Sequence, residues 1–518
     1  MISGRFPGTI SGRTAGGVNI KNRQHMTIKD LKPSVVWNNF HQLTQCPRPS
    51  KHEEIVRAFL LDWGKKHGVE AFADETGNVI MRIPATPGYE NRKGVILQGH
   101  MDMVPQKNAD VRHDFEKDPI QTWIDGEWMR AKGTTLGADN GLGVAMAMSI
   151  AESKDVPHGP IEILVTYDEE TGMTGAQALK PGVLNGEILI NLDSESEGEL
   201  YVGCAGGLDA TAAARYRGKD EPEGYECWSL AVKGCQGGHS GMDIILCRAN
   251  ANKLAARILL PLLLKDGVKL VDLEGGTLRN AIPRECFATV YVPENKVVSA
   301  KKTVKAVADA LKAEYAATDP NLKVEFALWK PAPGETCDPE ECKYVPEKTA
   351  EKFIRAILAC PDGVERMSDS LPGMVETSNN MAMVKIYKGE FFVKSLLRSS
   401  VDSAKEALAS KLESVFALAG IKTEFVGGYS GWAPNPDSVI LKTMKDVYKG
   451  MFGKEPLVMA IHAGLECGIL SGAYPHWDMV SMGPTLLSPH SPDERAHIPS
   501  VQKVWDFLKA VLAAIPEK

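Results

Sequence analysis

Short and largely apolar runs, each closed by a glycine or a polar residue, recur in the N-terminal part of the chain. They occupy positions 95–97, 161–167 and 188–192. Runs of this length without strict alternation predict buried strands of a parallel sheet that is covered on both faces. The alternation of these runs with segments of helical spacing predicts an α/β unit, with a mixed, largely parallel sheet and helices on both faces, of the phosphorylase or hydrolase type. The helical segments lie at 32–43, 50–66, 144–152, 437–448 and 502–513.

The pattern changes in the middle of the chain, where predicted strands follow one another directly. Segments 374–387 and 390–399 predict two strands joined by a Lys-Gly pair, which is a hairpin signal. Runs of strands accompanied by helices are typical of an α+β unit, so residues 207–423 are predicted to form an inserted lid or dimerisation domain. The α/β unit would then consist of residues 31–206 and 424–518.

The start of the chain has a different composition. The first 25 residues are rich in glycine and serine, and they contain basic but no acidic residues. They lack the apolar segment of a secretory signal, and they lack the clear amphipathic face of an organelle-targeting segment, which is the alternative. Residues 1–30 are therefore predicted to be a disordered extension, with Met26 as a plausible original first residue.

The overall composition excludes two classes of partner. A chain of 518 residues is too long for one core and predicts at least two domains. Its formal charge of −7 and the lack of a basic block argue against nucleic-acid binding, and no apolar run is long enough to span a membrane. The ten cysteines are scattered without a C-x-x-C pair, which predicts reduced thiols and a cytoplasmic protein. Cys337 and Cys342 lack the neighbours that a zinc knuckle needs.

Acidic residues and a histidine follow the predicted parallel strands directly. His100 and Asp102 come after the first run, Glu169 and Glu170 after the second, and Asp193 after the third. Ligands of α/β sheets bind at the carboxyl ends of the strands, so these side chains are expected to meet at one edge. Each of these acidic residues, taken alone, would be ordinary in a solvent-exposed turn. Together they predict a metal site, because imidazole and carboxylate without thiolate suit Zn²⁺ or Mn²⁺.

Asp139 stands just ahead of the predicted helix 144–152, where a helix-capping aspartate is the simplest interpretation. The possible metal ligands named so far are more than one tetrahedral ion can bind. This excess indicates two ions that share a bridging carboxylate, about 3.5–4 Å apart.

Six motifs carry a resemblance to a known family: GHMD, GADNGLGVAM, DEETGMTGA, NLDSE, GGHSG and PHSPDE, in this order. In this set the chain resembles the dinuclear zinc aminoacyl-histidine dipeptidases, also called Xaa-His or cytosol non-specific dipeptidases, which are related to the carnosinases. The resemblance covers nearly everything after about residue 30. It implies that the α/β unit is the catalytic, metal-binding domain.

The resemblance also implies a set of ligands for two Zn²⁺ ions per subunit, with Mn²⁺ or Co²⁺ as alternatives. His100 and Asp193 would bind one ion. Glu170 and His490 would bind the other, and Asp139 would bridge the two.

Further roles follow from the same resemblance. Asp102 would orient the His100 imidazole, and Glu169 would be the general base that assists a metal-bound hydroxide. His239 would stabilise the oxyanion from across a homodimer interface, so the dimer would be needed for catalysis. Arg398 would bind the carboxylate of the substrate bidentately, as a lysine could not. Two further positions match substrate contacts of the family: Asn280 and Gly464.

The implied function is hydrolysis of dipeptides, including Xaa-His dipeptides such as β-alanyl-histidine. A deacylase or amidohydrolase acting on N-acyl amino acids is an alternative, because it needs the same metals and the same arginine. A non-catalytic metal-binding scaffold is a second alternative. The presence of Glu169 argues against the scaffold, since a scaffold does not need a base beside its metals.

Overall fold

The computed structural model describes residues 27–329 and 342–518. Met26, Cys337 and nearly all of the predicted extension 1–30 lie outside these ranges. The last residues of this extension are ordered, because Ile28–Asp30 form a 3-10 helix and Ile28 is buried in the main core. The prediction of a disordered extension therefore does not hold for residues 27–30.

The described residues contain helices and strands throughout. The helices are α1 (Ser34–Thr44), α2 (Glu54–His67), α3 (Ala138–Glu152), α4 (Glu169–Gly172), α5 (Thr174–Ala178), α6 (Ala251–Lys265), α7 (Val297–Glu314), α8 (Glu347–Ala359), α9 (Asp402–Leu418), α10 (Val439–Phe452), α11 (Glu466–Ala473) and α12 (Ile498–Ala513), with further 3-10 turns at Ile244–Leu246 and Glu294–Lys296. The strands are β1 (Glu70–Ala73), β2 (Val79–Ile83), β3 (Val95–His100), β4 (Thr122–Asp125), β5 (Trp128–Ala131), β6 (Ile161–Thr166), β7 (Ile188–Asn191), β8 (Glu199–Cys204), β9 (Gly206–Arg215), β10 (Tyr225–Lys233), β11 (Gly238–His239), β12 (Lys269–Gly275), β13 (Ala281–Ile282), β14 (Cys286–Pro293), β15 (Lys323–Leu328), β16 (Gly363–Met367), β17 (Val375–Tyr387), β18 (Glu390–Ser399), β19 (Lys422–Tyr429), β20 (Leu457–Ile461), β21 (Asp478–Ser481), β22 (Leu486–Leu487) and β23 (Arg495–His497).

The first sheet is mixed and has the strand order β1-β2-β6-β3-β7-β21-β8-β20. Its centre is parallel, because β3 pairs in parallel with β6 and with β7, and β7 pairs in parallel with β21. Successive side chains of β3 enter different cores. Val95 and Leu97 pack in the core that contains residues of α1, α3 and α12, whereas Ile96 packs with residues of α5 and α11. Helices therefore cover both faces, and this explains why the strand is apolar at every position.

The second sheet is antiparallel and has the order β15-β10-β14-β12-β17-β18-β9-β19, with β16 beside β17. It shares a core with α6, α7, α8 and α9. Strand β19 pairs with β9, with Phe425 opposite Ala210. Residues 424–429 therefore belong to this sheet, although the sequence analysis assigned them to the α/β unit. Apart from this strand the predicted domain limits stay predictions.

The two sheets together confirm the predicted fold class, an α/β unit with an inserted α+β unit. The likeness to the phosphorylase type stays a prediction. A further small sheet, β22-β23-β5-β4, holds the C-terminal loop that carries His490, since this loop joins β22 to β23.

One sequence prediction about the cysteines is wrong. Cys342 is disulfide-bonded, whereas the other cysteines among the described residues are free. The spacing of cysteines in a large chain cannot reveal a single bond of this kind.

Candidate metal centre

The carboxyl ends of three neighbouring strands bring the predicted metal-binding side chains together. His100 is the last residue of β3, and Asp193 follows β7 after one intervening residue. Glu169 and Glu170 begin α4, which follows β6. Because β6, β3 and β7 are adjacent and parallel, their ends lie at the same edge of the sheet.

Asp139 reaches this edge from the start of α3. Its backbone is not helical, with φ −81° and ψ 111°. Its Oδ1 lies 3.1 Å from Nε2 of His100, and its Oδ2 lies 3.2 Å from Nε2 of His490. One carboxylate therefore stands between two imidazoles, which is the arrangement that a bridging ligand needs.

Small residues allow α3 to approach the strands this closely. A Cβ atom at Gly99 would lie 2.1 Å from Oδ1 of Asn140, and one at Gly143 would lie 2.2 Å from the carbonyl oxygen of Leu192. Asn140 uses the space to donate a hydrogen bond of 2.7 Å to this same carbonyl oxygen. The glycines in GADNGLG thus serve the placement of Asp139.

Two of the possible donor groups at this edge share Asp139, and a further group joins His100 with Glu169 and Glu170. His100, Asp139 and Asp193 make up one group, and Asp139, Glu170 and His490 make up the other. In each group the potential ligand atoms lie within 4.8 Å of one another. The distance from Nε2 of His100 to Oδ1 of Asp193 is 3.4 Å, and that from Nε2 of His490 to Oε2 of Glu170 is 3.0 Å. The division matches the one that the resemblance implies.

These donor groups fit a pair of divalent cations. Oδ1 of Asp193 and Oε1 of Glu170 are buried and have no hydrogen-bond partner in the structure. Burial raises the pKa of Asp193 to about 7, and hydrogen bonds to Asp139 and Glu170 raise the pKa of His490 to about 11. The shift of His490 indicates an excess of negative charge around the imidazole that cations would compensate. The set of carboxylate and imidazole donors, without thiolate, suits Zn²⁺, Mn²⁺ or Co²⁺.

Asp102 connects one metal-binding residue to the turn that carries the other acids. Its Oδ1 lies 3.1 Å from Nδ1 of His100, and its two oxygens accept the backbone N–H groups of Glu169 at 3.1 Å and Glu170 at 3.2 Å. Such a contact fixes the orientation of the imidazole and leaves Nε2 for the metal. Burial raises the pKa of Glu169 well above its usual range. A carboxylate in this environment accepts protons readily.

Of the remaining predicted residues, Arg398 belongs to the second sheet, Gly464 contacts it, and Asn280 lies just ahead of β13. Arg398 in β18 is buried and hydrogen-bonded to Tyr429, and its Nε has no partner. A Cβ atom at Gly464 would lie 3.1 Å from the Tyr429 hydroxyl and 3.3 Å from Cε of Met173, in the loop after Glu170. The backbone oxygen of Asn280 accepts the N–H of Ser240 at 2.8 Å.

His239 is held in one tautomer. Its Nδ1 accepts the backbone N–H groups of Gly241 at 3.2 Å and Met242 at 3.1 Å. Because Nδ1 is an acceptor, the proton of the neutral ring is on Nε2, which can donate a hydrogen bond. Burial and the charge of Arg398 lower the pKa of His239, so the ring is neutral.

The short segment 462–466 contacts the second sheet and the loop of His239 at one end and the first sheet at the other. Nε2 of His462 lies 2.7 Å from the Ser378 hydroxyl, and a Cβ atom at Gly241, beside His239, would lie 2.1 Å from the backbone oxygen of His462. Four residues later, Oε2 of Glu466 accepts hydrogen bonds from the side chains of Gln98 and Thr166 in the first sheet. Four residues of extended chain span at most about 14 Å. The loop of His239 therefore contacts a segment that leads to the first sheet, and the expected action of His239 across a dimer interface stays a prediction.

A sequence profile described as peptidase family M20/M25/M40 matches residues 96–514, which is most of the chain. The chain belongs to this peptidase family. Membership confirms the prediction that the protein is an enzyme, a hydrolase acting on peptide bonds.

Two relatives of the M20 peptidase match over almost their whole length. The cytosol non-specific dipeptidase of Escherichia coli (strain K12) is 44% identical over 491 residues, covering 95% of this chain and 99% of the relative. The crystal structure of aminoacylhistidine dipeptidase from Vibrio alginolyticus superposes with a TM-score of 0.90 at 45% identity and covers 95% and 99% of the two chains. These matches confirm the resemblance drawn from the motifs. The aminopeptidase PepT structure from Bacillus cereus, at 17% identity and a TM-score of 0.54, shares the fold.

Two further side chains of the M20 peptidase hold the backbone that carries the predicted metal-binding residues, and the sequence analysis missed both. The carboxylate of Glu494 accepts backbone N–H groups from Leu136 to Asp139, at 2.7–3.3 Å. Arg48 is buried and donates to the backbone oxygens of Met101, Asp102 and Gly137. Glu494 lies in the PHSPDE motif, so this motif could have identified it from the sequence. Arg48 has no comparable signal in the sequence.

The described part of the M20 peptidase contains no helix with the length and apolar character needed to cross a membrane.

Proposed function

We propose that this M20 peptidase hydrolyses dipeptides with a free amino and a free carboxyl terminus, using two zinc ions per subunit. The observation that carries the proposal is the pair of donor groups that share Asp139. The near-complete match to a relative named cytosol non-specific dipeptidase supports the substrate class and a cytosolic location. The match to a relative named aminoacylhistidine dipeptidase supports Xaa-His substrates, with β-alanyl-histidine as one case to test.

The bound cations would polarise the peptide carbonyl group and lower the pKa of a water molecule to about 7. Glu169 would accept the proton of this water and pass it to the leaving amine. Its raised pKa, caused by burial, supports both steps. Asp102 would keep the Nδ1 proton of His100 in place and so leave Nε2 free for its ligand role.

The predicted inserted domain, together with the loop after β20, would supply the groups that hold the substrate. Nε2–H of His239 would donate to the oxyanion of the tetrahedral intermediate. Arg398 would bind the terminal carboxylate with its guanidinium fork, and Asn280 and Gly464 would line the path between them. A fixed distance between Arg398 and the metal centre would favour dipeptides over longer chains.

A homodimer is part of the proposal, with His239 acting across its interface, as the resemblance to the dipeptidase family implies. The dimer would then be needed for catalysis, because each metal centre would receive its oxyanion donor from the other subunit.

Three matched substrates test the proposal on the zinc-loaded protein: a dipeptide, its N-acetyl derivative and its C-terminal amide. The dipeptide should be hydrolysed, and both derivatives should be poor substrates. Preferential hydrolysis of the N-acetyl derivative would instead establish the N-acyl amino acid deacylase. Failure of all three with metal bound would favour the non-catalytic scaffold.

A further inference from the structure

A buried carboxyl group outside the proposed ligand set lies behind the metal centre. Glu53, just ahead of α2, is 0% exposed. Its carboxylate forms a group with those of Asp102 and Asp168, and the oxygens of the three lie within 4.8 Å of one another. All three residues are buried. Three ionised carboxylates packed this closely would repel one another strongly in a low-dielectric interior.

The hydrogen bonds of the three groups show where a proton belongs. Oε1 of Glu53 accepts the backbone N–H groups of Lys51 at 2.9 Å and Asp168 at 3.2 Å, whereas Oε2 has no partner. Each oxygen of Asp168 receives the hydroxyl group of a threonine, Thr171 or Thr174. Asp102 accepts the imidazole and the two backbone N–H groups described above. The unpartnered oxygen is thus on Glu53, and a proton there would give it a partner.

We propose that Glu53 is a neutral carboxylic acid whose Oε2–H donates a hydrogen bond to the carboxylate of Asp102, and that it acts as a positioning residue. Burial raises the pKa of Glu53 to about 7, and the charges of Asp102 and Asp168 act in the same direction. Donation to Asp102 is the better arrangement, because the charge of Asp102 acts on Glu53 more strongly than that of Asp168 and Oδ2 of Asp102 accepts one N–H group, that of Glu170, which leaves it able to accept a second donor.

The pair of acids holds one turn of the backbone. Glu53 accepts the N–H of Asp168, and Asp102 accepts those of Glu169 and Glu170. Three consecutive backbone N–H groups therefore donate hydrogen bonds to two carboxyl groups that, in this proposal, share a proton. Since this turn carries Glu169 and Glu170, the effect on catalysis rests on the function proposed above, whereas the protonation of Glu53 does not.

A third cation in this place is the competing explanation. It would need several free oxygen ligands, and only Oε2 of Glu53 lacks a partner among the oxygens of this group that the structure describes. A proton satisfies one oxygen, whereas a cation would have to displace the hydroxyl or N–H donors.

The experiment compares Glu53→Gln, Glu53→Ala and the exposed neighbour Glu54→Gln in the zinc-loaded protein. Glutamine retains an oxygen for the two N–H groups and an N–H donor for Asp102, so activity and metal content should equal those of the wild type. Alanine should lower kcat/KM by about 10- to 100-fold, as losses of groups behind a metal ligand do. Glu54→Gln should change nothing.

Infrared spectroscopy gives a readout that involves no substrate. The difference spectrum between wild type and Glu53→Gln should contain the C=O stretch of a protonated carboxyl group, and the Glu54→Gln difference spectrum should contain only carboxylate bands. Carboxylate bands alone in the first spectrum would overturn the proposal. So would the loss of a bound ion from Glu53→Gln, or a loss of activity equal to that of Glu53→Ala. An inactive wild type would refute the proposed function and leave the infrared result standing.

Discussion

The substitution Glu494→Gln tests how the bridging carboxylate is held in place. Glu494 is 2% exposed and lies in the loop that also carries His490. Its Oε2 accepts the N–H groups of Leu136 and Gly137, and its Oε1 accepts those of Ala138 and Asp139. One carboxylate thus binds the whole turn from which Asp139 projects.

The expected loss of stability follows from the number of backbone N–H groups that lose their acceptor. Glutamine keeps one oxygen and replaces the other with an NH₂ group, so two backbone N–H groups would face a donor. A buried donor left without an acceptor costs about 1–3 kcal/mol, so the free energy of unfolding should fall by about 2–6 kcal/mol. If the turn moves to relieve the conflict, Asp139 leaves its position between His100 and His490. Metal affinity should then fall by about 10- to 100-fold.

Urea denaturation of the metal-free protein measures the first effect, and a zinc titration measures the second. Asp493→Asn is the matched control, since its side chain is 81% exposed and its distance to Arg130 is 3.9 Å. An exposed ion pair contributes about 0–1 kcal/mol, so the control should behave like the wild type. If Glu494→Gln and Asp493→Asn are equally stable and bind zinc equally well, the reasoning about the turn is refuted.

Four further predictions concern the proposed reaction. Glu169→Gln should lower kcat by about 10²- to 10⁴-fold with unchanged metal content, and retained turnover would exclude Glu169 as the base. Arg398→Lys should weaken the binding of dipeptides by about 1.5–3 kcal/mol and raise KM, while binding of the dipeptide amide should change little. Mixed dimers of His239→Ala and Glu169→Gln subunits should regain activity, because action of His239 across the interface leaves one of their two sites with both residues intact; a mixture that stays inactive would refute that action. A chelator should abolish hydrolysis, and added Zn²⁺ or Mn²⁺ should restore it.

The parts of the site that the sequence predicts well are those governed by strand ends. A run such as Val95 to Leu97 must be buried on both faces, so its carboxyl end faces the edge where ligands bind. His100, Glu170 and Asp193 are located by this argument alone. His490 comes from a loop in a different small sheet, and only the resemblance of PHSPDE to a family motif assigned it to the same place.

The sequence predicts contacts between distant segments poorly. Strand β19 alternates between half-buried and exposed positions, so its pattern does not reveal which sheet it joins. Glu53 and Glu494 are ordinary acids in sequence, and their roles depend on backbone N–H groups more than a hundred residues away. The contact of the loop of His239 with segment 462–466, which in turn contacts the first sheet, is likewise evident only in the fold.

The acidic residues behind the metal centre have a different role from those in the proposed ligand set. Asp139, Glu170 and Asp193 belong to the proposed ligand set, whereas Glu53, Asp102 and Glu494 accept backbone N–H groups of the turns that carry Asp139 and Glu170. The backbone of both turns is therefore held by contacts within the protein that do not involve cations. Cations bound at the proposed positions would then spend little of their binding energy on ordering these two turns. The same contacts explain how the site can hold so many carboxyl groups, because N–H groups compensate Asp102 and Glu494 and the proposed proton leaves Glu53 neutral.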